Sequence, residues 1–513
     1  MDANTHAENL VEELTEKRKQ KLFNWFQKPY NTFLFLILAF IALFRYYLLF
    51  KTKTQALWYD EALYLMLGRT YAGLTPVFSA PQRDYFVSML WSLLIRLGLG
   101  EFTLRFITVT LGIASLFFFY KLVEHFYNKK IGLIALVLAA VFYEPIFWSM
   151  RLDIGTYSVF FILVSLTAFV KALKTKKTWL FITASAFAVF GFLSHAPGVL
   201  IILFYIAFGL IYTQFRFYKS KKFWICFIVF LLILSPFIAY NLISKGEIYP
   251  RYQSGWFERD AQVRPIGESL VYLTTIPQLL GIFVFIFFII GLILSLDVFI
   301  SIDQYLFKRK PTKNELKKGF FLLIGLISLA LGVQSLIVNG GGYYEPRYII
   351  PFYLTCFVFA AVGIDFVSKE LKKYSKPLSI ILIIVVLIFA GYTNLNQASD
   401  LTMSKAESYQ GIKQAAVWIS QNAGPEDKII TFEHAQVIYY AQRDAISVGT
   451  SSNISNQIKA EHARYLLNWA GQYEKFQELN AFAESNEYVV PVGTFPAGNQ
   501  PTTIVYKIED GFF

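Results

Sequence analysis

Apolar runs of about 18 residues or more recur through residue 394, separated by short polar segments, and runs of that length can cross a bilayer as helices. The pattern predicts about eleven spans, at 31–50, 103–123, 131–149, 153–171, 178–193, 196–213, 223–243, 270–297, 318–338, 348–367 and 377–394. Pro197 and Gly198 interrupt one stretch, which therefore reads as two spans or as one kinked segment. With the N-terminus inside, the inner loops 124–130, 172–177, 214–222, 298–317 and 368–376 are all rich in Lys and Arg, and the opposite loops are less basic or mixed. Only this orientation satisfies the positive-inside rule, and it puts everything after about 395 outside.

The first outer loop, 51–102, is not simply polar. Apolar positions recur at helical spacing in 60–72 (Leu63, Leu67, Tyr71) and in 85–99 (Phe86, Leu90, Leu93, Leu97), predicting two helices that lie along the interface. A second outer loop, 244–269, and a Gly-rich third, Asn339 to Tyr348, are dense in charged and aromatic residues. The tail, 395–513, has the composition of a soluble domain. It predicts a helix at 406–422, strands at Lys428 to Phe432 and Ala445 to Val448 around a helix from Ala435 to Gln442, helical segments over 457–484, and strands at Tyr488 to Val492 and Thr503 to Ile508. His434 and His462 read as surface residues.

The organisation is thus an N-terminal cytoplasmic segment, 1–30, a membrane domain, 31–394, and a small extracytoplasmic α/β domain, 395–513. Composition agrees: of 513 residues 56% are hydrophobic and 16% charged, against about a quarter charged in soluble domains. In such a chain the net charge of +12 reflects loop bias rather than nucleic-acid binding. The two cysteines, Cys226 and Cys356, lie in apolar runs and predict no disulfide framework. Residues 1–30 are polar and carry Lys17, Arg18, Lys19 and Lys21, so the first apolar run reads as an uncleaved anchor.

Candidate chemistry gathers at the outer ends of the spans. Asp60 and Glu61 follow span one; Glu144, Arg151 and Asp153 flank the turn between spans three and four; His195 lies between spans five and six; Arg251, Arg259 and Arg264 fall in loop 244–269; Glu345 and Arg347 precede span ten. Each has a plain structural alternative. Asp60 suits a helix N-cap with Glu61 in the first turn. Arg151 and Asp153 could be an interfacial ion pair, His195 a loop histidine, Glu345 and Arg347 a helix start with a snorkelling arginine. Arg45 and Arg105 read as structural. Their shared face favours function, because ionisable groups near membrane depth are costly. Adjacent helical acids do not share a face, so Asp60 and Glu61 point differently. Arginines beside a carboxylate suit a lipid-linked sugar phosphate: guanidinium forks bind phosphate, and the carboxylate takes or orients an acceptor proton. The Gly340 to Gly342 run lacks P-loop spacing and its Lys.

The segments LWYDEALYLMLGR (Leu57 to Arg69), WSMRLDIGTYSVFF (Trp148 to Phe161), LSHAPGVLIIL (Leu193 to Leu203) and EPRYIIPF (Glu345 to Phe352) resemble the integral-membrane GT-C glycosyltransferases, in the protein O-mannosyltransferase and aminoarabinose-transferase-like branch. The resemblance implies a GT-C fold, a polyprenyl-phosphate sugar donor, an acceptor hydroxyl on a lipid, glycan or protein, inversion at the anomeric carbon, and a multi-pass plasma-membrane protein acting on the non-cytoplasmic face. It implies Asp60 as catalytic aspartate with Glu61 beside it, Asp153 as a second acid, and Arg151, His195, Arg347 and Tyr348 at the donor phosphate. Asp84, Arg251, Arg259 and Glu345 become acceptor or loop contacts. Where relatives carry a Pro-Pro-Leu-type stretch, this chain reads Ala80-Pro81-Gln82-Arg83-Asp84. No Asp-X-Asp motif is present, so a divalent metal is compatible but not demanded, and no other cofactor is expected. A polyprenyl-lipid transporter or flippase, or a non-enzymatic envelope scaffold, are the competing classes. Few mid-span charges and no clear inverted repeat weigh against the transporter.

Overall fold

The computed structural model describes residues 15–17, 19–20, 23–75, 85–213, 216–246, 270–296, 312–338, 345–448, 454–469, 474–497 and 500–513. In chain order the helices are α1 (Pro29–Lys51), α2 (Tyr59–Tyr71), α3 (Phe86–Arg96), α4 (Glu101–Phe126), α5 (Lys129–Val141), α6 (Tyr143–Ser149), α7 (Ile154–Thr175), α8 (Thr178–Ser194), α9 (Val199–Thr213) and α10 (Lys221–Lys245). They continue as α11 (Val271–Thr274), α12 (Ile276–Leu280), α13 (Ile282–Ile293), α14 (Lys313–Val338), α15 (Ile350–Lys372) and α16 (Lys376–Ser404). The tail runs α17 (Gln410–Asn422), β1 (Lys428–Thr431), α18 (His434–Ala441), β2 (Ala445–Ser447), α19 (Ile454–Glu461), β3 (Ala463–Trp469), α20 (Glu474–Glu484), β4 (Val489–Ala497) and β5 (Gln500–Ile508).

Seven helices among the described residues are long and apolar enough to cross a membrane, and nine spans result if two bent pairs each count as one. This is a multi-pass membrane protein. The expected span 131–149 is α5 and α6, bent by 58°, and 270–297 contains α11 to α13 with a 118° break. The break sits at Gly281, whose φ of 77° suits glycine. Helices α8 and α9 are shorter than a full span and flank the expected break at Pro197 and Gly198. A Cβ on Gly198 would lie 2.0 Å from the Gly191 carbonyl oxygen, so the break is packed against α8. The two helices expected in the first loop are present as α2 and α3. They pack through Gly68, where a Cβ would meet Ser88 O and Ile95 at 3.2 Å, and Ser88 Oγ donates to Tyr64 O at 2.8 Å.

The chain divides into two compact units, one of Met1–Tyr47, Phe106–Met150 and Ile154–Ala398, the other of Leu48–Arg105, Arg151–Asp153 and Ser399–Phe513. The boundary expected at 395 falls inside α16, and the second unit takes in the first loop as well as the tail. Helix α1 illustrates the first unit: Phe33, Leu36, Phe40 and Leu43 are exposed, as lipid-facing positions should be, while Leu34 and Ile41 are buried.

The tail carries a five-stranded sheet in the order β2-β1-β3-β5-β4, with β1 parallel to β2 and β3, and β3–β5 and β5–β4 antiparallel. The helical reading of 457–484 is corrected here: β3, the central strand, lies between α19 and α20. Ala463, Tyr465, Leu466, Leu467 and Asn468 are all buried, so the strand has apolar neighbours on both faces and shows no alternation.

Candidate active site

Helix α2 presents the paired acids. Its N-cap is Trp58, so Asp60 and Glu61 occupy the second and third helical positions, and the expectation of Asp60 as N-cap is corrected. Both acids sit at the positive end of the helix dipole. They diverge as their spacing requires: Asp60 is half-buried, whereas Glu61 is 4% exposed. Glu61 Oε2 accepts the Trp58 backbone N–H at 2.7 Å, closing the first turn on itself, and Oε1 accepts the Leu152 N–H at 2.7 Å. The Arg105 and Arg151 guanidinium groups approach Oε2 at 3.6 and 3.9 Å.

Glu61 therefore fixes the segment Arg151–Asp153, and with it Asp153, which is itself 7% exposed. The Arg151 guanidinium lies 3.6 Å from the centre of the Trp58 ring, a contact that holds its plane over the indole face. Arg105, completely buried, donates to Gln55 O at 3.2 Å and pairs with Glu101 at 3.1 Å. From sequence Arg105 reads as structural, and Trp58 carries no role of its own. The available signals were the i,i+4 spacing of Glu101 and Arg105 and the aromatic residues flanking the two acidic motifs.

The tail completes this cluster. Tyr440 accepts the Leu57 N–H at 2.9 Å, and Gln436 Nε2 donates to Leu57 O at 2.8 Å. The Tyr440 hydroxyl also lies near the Glu101 carboxylate. His434, expected on the surface, is half-buried, with Nδ1 3.4 Å from the Tyr59 hydroxyl. Burial pushes its pKa below the usual value, partly offset by a bond to the Phe432 backbone. Burial likewise raises Tyr440 above the ordinary phenol range, the Glu101 carboxylate adding to it, and pushes Tyr439 up to about 12.

A second charged cluster belongs to the other unit. Arg347, in the 3-10 turn Pro346–Ile349, pairs with Glu345. Its guanidinium stands 4.0 Å from the Trp148 ring centre and 5.3 Å from that of Tyr348. The Trp148 indole donates to Glu144 at 2.9 Å, and the His195 ring lies 5.6 Å from Tyr348, tilted by 31°. Segments far apart in sequence, the end of α6, the α8 break and the turn before α15, thus bring together Glu144, Trp148, His195, Glu345, Arg347 and Tyr348. Asp84, Arg251 and Arg259 lie outside the described residues. Among the described residues no group of three or more His, Cys, Asp or Glu side chains is placed to hold a metal ion.

The family described as dolichyl-phosphate-mannose-protein mannosyltransferase matches residues 80–240, a stretch that contains Arg151, Asp153 and His195 but neither Asp60 nor Arg347. No curated protein matches the chain. Among solved structures, ArnT from Cupriavidus metallidurans bound to undecaprenyl phosphate is 10% identical, with 94% of this chain and 99% of that one covered and a TM-score of 0.63. The archaeal oligosaccharyltransferase AglB from Archaeoglobus fulgidus, in complex with an inhibitory peptide and a dolichol-phosphate, is 14% identical, with 95% and 75% covered and a TM-score of 0.61. The chain has the GT-C fold. The resemblance carried by the four motifs is borne out at the level of the fold.

Proposed function

We propose that this GT-C protein is a glycosyltransferase that moves a sugar from a polyprenyl-phosphate donor to an acceptor hydroxyl on the non-cytoplasmic face of the plasma membrane. The observation that carries the reading is the division of labour at the start of α2. Glu61 is committed to two backbone N–H groups and two arginines, while Asp60, one residue earlier, stays half-buried. The similar folds of ArnT with undecaprenyl phosphate and AglB with dolichol-phosphate support the donor class.

In this reading the acceptor oxygen attacks the anomeric carbon from the face opposite the phosphate. The new C–O bond forms as the bond to the phosphate oxygen breaks, with inversion. Asp60 accepts the proton of the acceptor hydroxyl. The departing phosphate keeps the electron pair and leaves as an anion, so it needs positive charge rather than a proton. Arg347, with Tyr348 and His195 beside it, is assigned to that phosphate, because a guanidinium offers a charged planar fork. Asp153 is assigned to the acceptor side as a second acid, Arg151 is held beside it, and Glu61 acts by position.

The test is sugar release from a panel of polyprenyl-phosphate sugars by purified protein, with an envelope fraction as acceptor, native beside Asp60→Asn. Native protein should release sugar from one donor, and Asp60→Asn should lose at least about a hundredfold in kcat with an unchanged unfolding temperature. Near-native turnover by Asp60→Asn refutes its role as base, and no release from any donor by folded native protein sinks the transfer reading.

A further inference from the structure

We infer that α18 of the tail is a clasp on the catalytic loop, and that Gln436 and Tyr440 are positioning residues for Asp60. The inference rests on the transfer reading above for the word catalytic, but the clasp itself is a matter of geometry. Leu57 is the last fully buried residue before the turn into α2, and its backbone belongs to neither a helix nor a sheet ladder. Both its polar backbone groups are nevertheless satisfied, and both by α18. The N–H donates to Tyr440 Oη at 2.9 Å, and the carbonyl accepts from Gln436 Nε2 at 2.8 Å. Gln436 and Tyr440 stand four residues apart and so share one helical face. A buried backbone amide left without partners is expensive, so this pair of bonds selects one conformation for the residue three positions before Asp60.

The clasp does not end at Leu57. The Tyr440 hydroxyl also lies near the Glu101 carboxylate, Glu101 pairs with Arg105 at 3.1 Å, and Arg105 faces Glu61 at 3.6 Å. Glu61 in turn holds the Leu152 N–H, the residue before Asp153. One chain of polar contacts, half-buried at Tyr440 and Glu101 and buried at Arg105 and Glu61, therefore links the tail helix to both acidic segments. Charged members joined at low local dielectric polarise one another, and displacing one end is felt along the chain. From other positions on α18, His434 meets Tyr59, and the Tyr439 ring lies 5.5 Å from the Arg69 guanidinium. Helix α18 thus engages α2 at its start and near its end. A tail that merely bound a partner would have no need to bond the backbone at the approach to Asp60.

The experiment uses the full chain in detergent and three variants. Tyr440→Phe and Gln436→Leu each delete one bond to Leu57 at nearly constant volume. Ile419→Val thins the tail core, where Ile419 is fully buried, without touching α2. Amide exchange over residues 57–62, the unfolding temperature, and kcat with KM for the donor are measured on each. The expected result is exchange faster by about tenfold at Leu57 in Tyr440→Phe, as one local bond is lost. Both clasp variants should lose about tenfold in kcat with donor KM within about twofold, while Ile419→Val lowers the unfolding temperature at native kcat. Unchanged exchange in Tyr440→Phe overturns the clasp. Faster exchange with native kcat, or a kcat that follows unfolding temperature across all three variants, overturns the positioning role. Native protein that transfers no sugar refutes the transfer reading alone, because the exchange measurement still decides the clasp.

Discussion

At Glu61 two backbone N–H groups and two guanidinium groups converge on one buried carboxylate. Such a group costs several kcal/mol to desolvate and repays it only with all partners in place. Glu61→Gln keeps the shape but turns an N–H₂ toward one of the two backbone donors and removes one of the two carboxylates facing Arg105. It should cost about 3 kcal/mol, seen as a lower unfolding temperature, whereas Asp60→Asn, at a half-buried position, should unfold near the native temperature. A Glu61→Gln variant with native stability and no turnover would return Glu61 to the chemistry and withdraw its positioning role. The acids were legible in the sequence because paired carboxylates beside a membrane run are rare and costly. Their division of roles was not, because it depends on Leu152, which contributes only a backbone N–H and has no polar side chain to read.

At the scale of elements, the apolar runs marked the membrane helices well, since length and hydropathy are what the bilayer demands. They missed the bend between α5 and α6 and the break at Gly281, because hydropathy counts side chains and is blind to backbone dihedrals. They also passed over a close backbone approach between α13 and α15. A Cβ on Gly291 of α13 would stand 1.9 Å from Phe359 O, and one on Gly363 of α15 would stand 2.1 Å from Phe287 O. Small residues let membrane helices approach to backbone contact, where dispersion and weak polar contacts hold them without a hydrophobic driving force. Gly363→Ala cannot be absorbed by a rotamer change, because the obstacle is backbone. It should separate α13 from α15 at a cost above about 3 kcal/mol, measured as loss of monodisperse purified protein and a lower unfolding temperature. A variant that purifies and unfolds like the native protein would show that the two helices are not held at that distance. In the tail the same blindness took β3 for helix: a strand buried on both faces has no alternation to betray it.

At the scale of the molecule, the sequence read the tail as an appended soluble domain because its composition changes sharply after 394. Composition reports what a segment's surface meets, not what its backbone bonds to. In the second unit the first loop and the tail are tied at successive residues. Gln55 Nε2 donates to Lys405 O at 2.5 Å, and Thr54 O accepts from Gln410 and Lys413 at 2.7 and 3.0 Å. Leu57 follows with its two bonds to α18, and Tyr59 with His434. Residues 54–59 thus draw tertiary hydrogen bonds from the tail, and without it these backbone groups and the approach to Asp60 lose their partners. A chain ended after Ser404 should therefore keep the membrane helices, with inserted protein and a helical circular dichroism signal, yet lose transfer by at least about a hundredfold, as misplacement near a reacting group commonly costs. Separately produced tail added back should restore little, because it must remake several bonds to residues 54–59 at once, among them the buried one from Gln436 to Leu57. Native turnover by the shortened chain would reduce the tail to an independent module and make the bonds at 54–59 incidental. Loss of the helical signal would show instead that the tail supports the bundle itself, a larger role than the clasp assigns it.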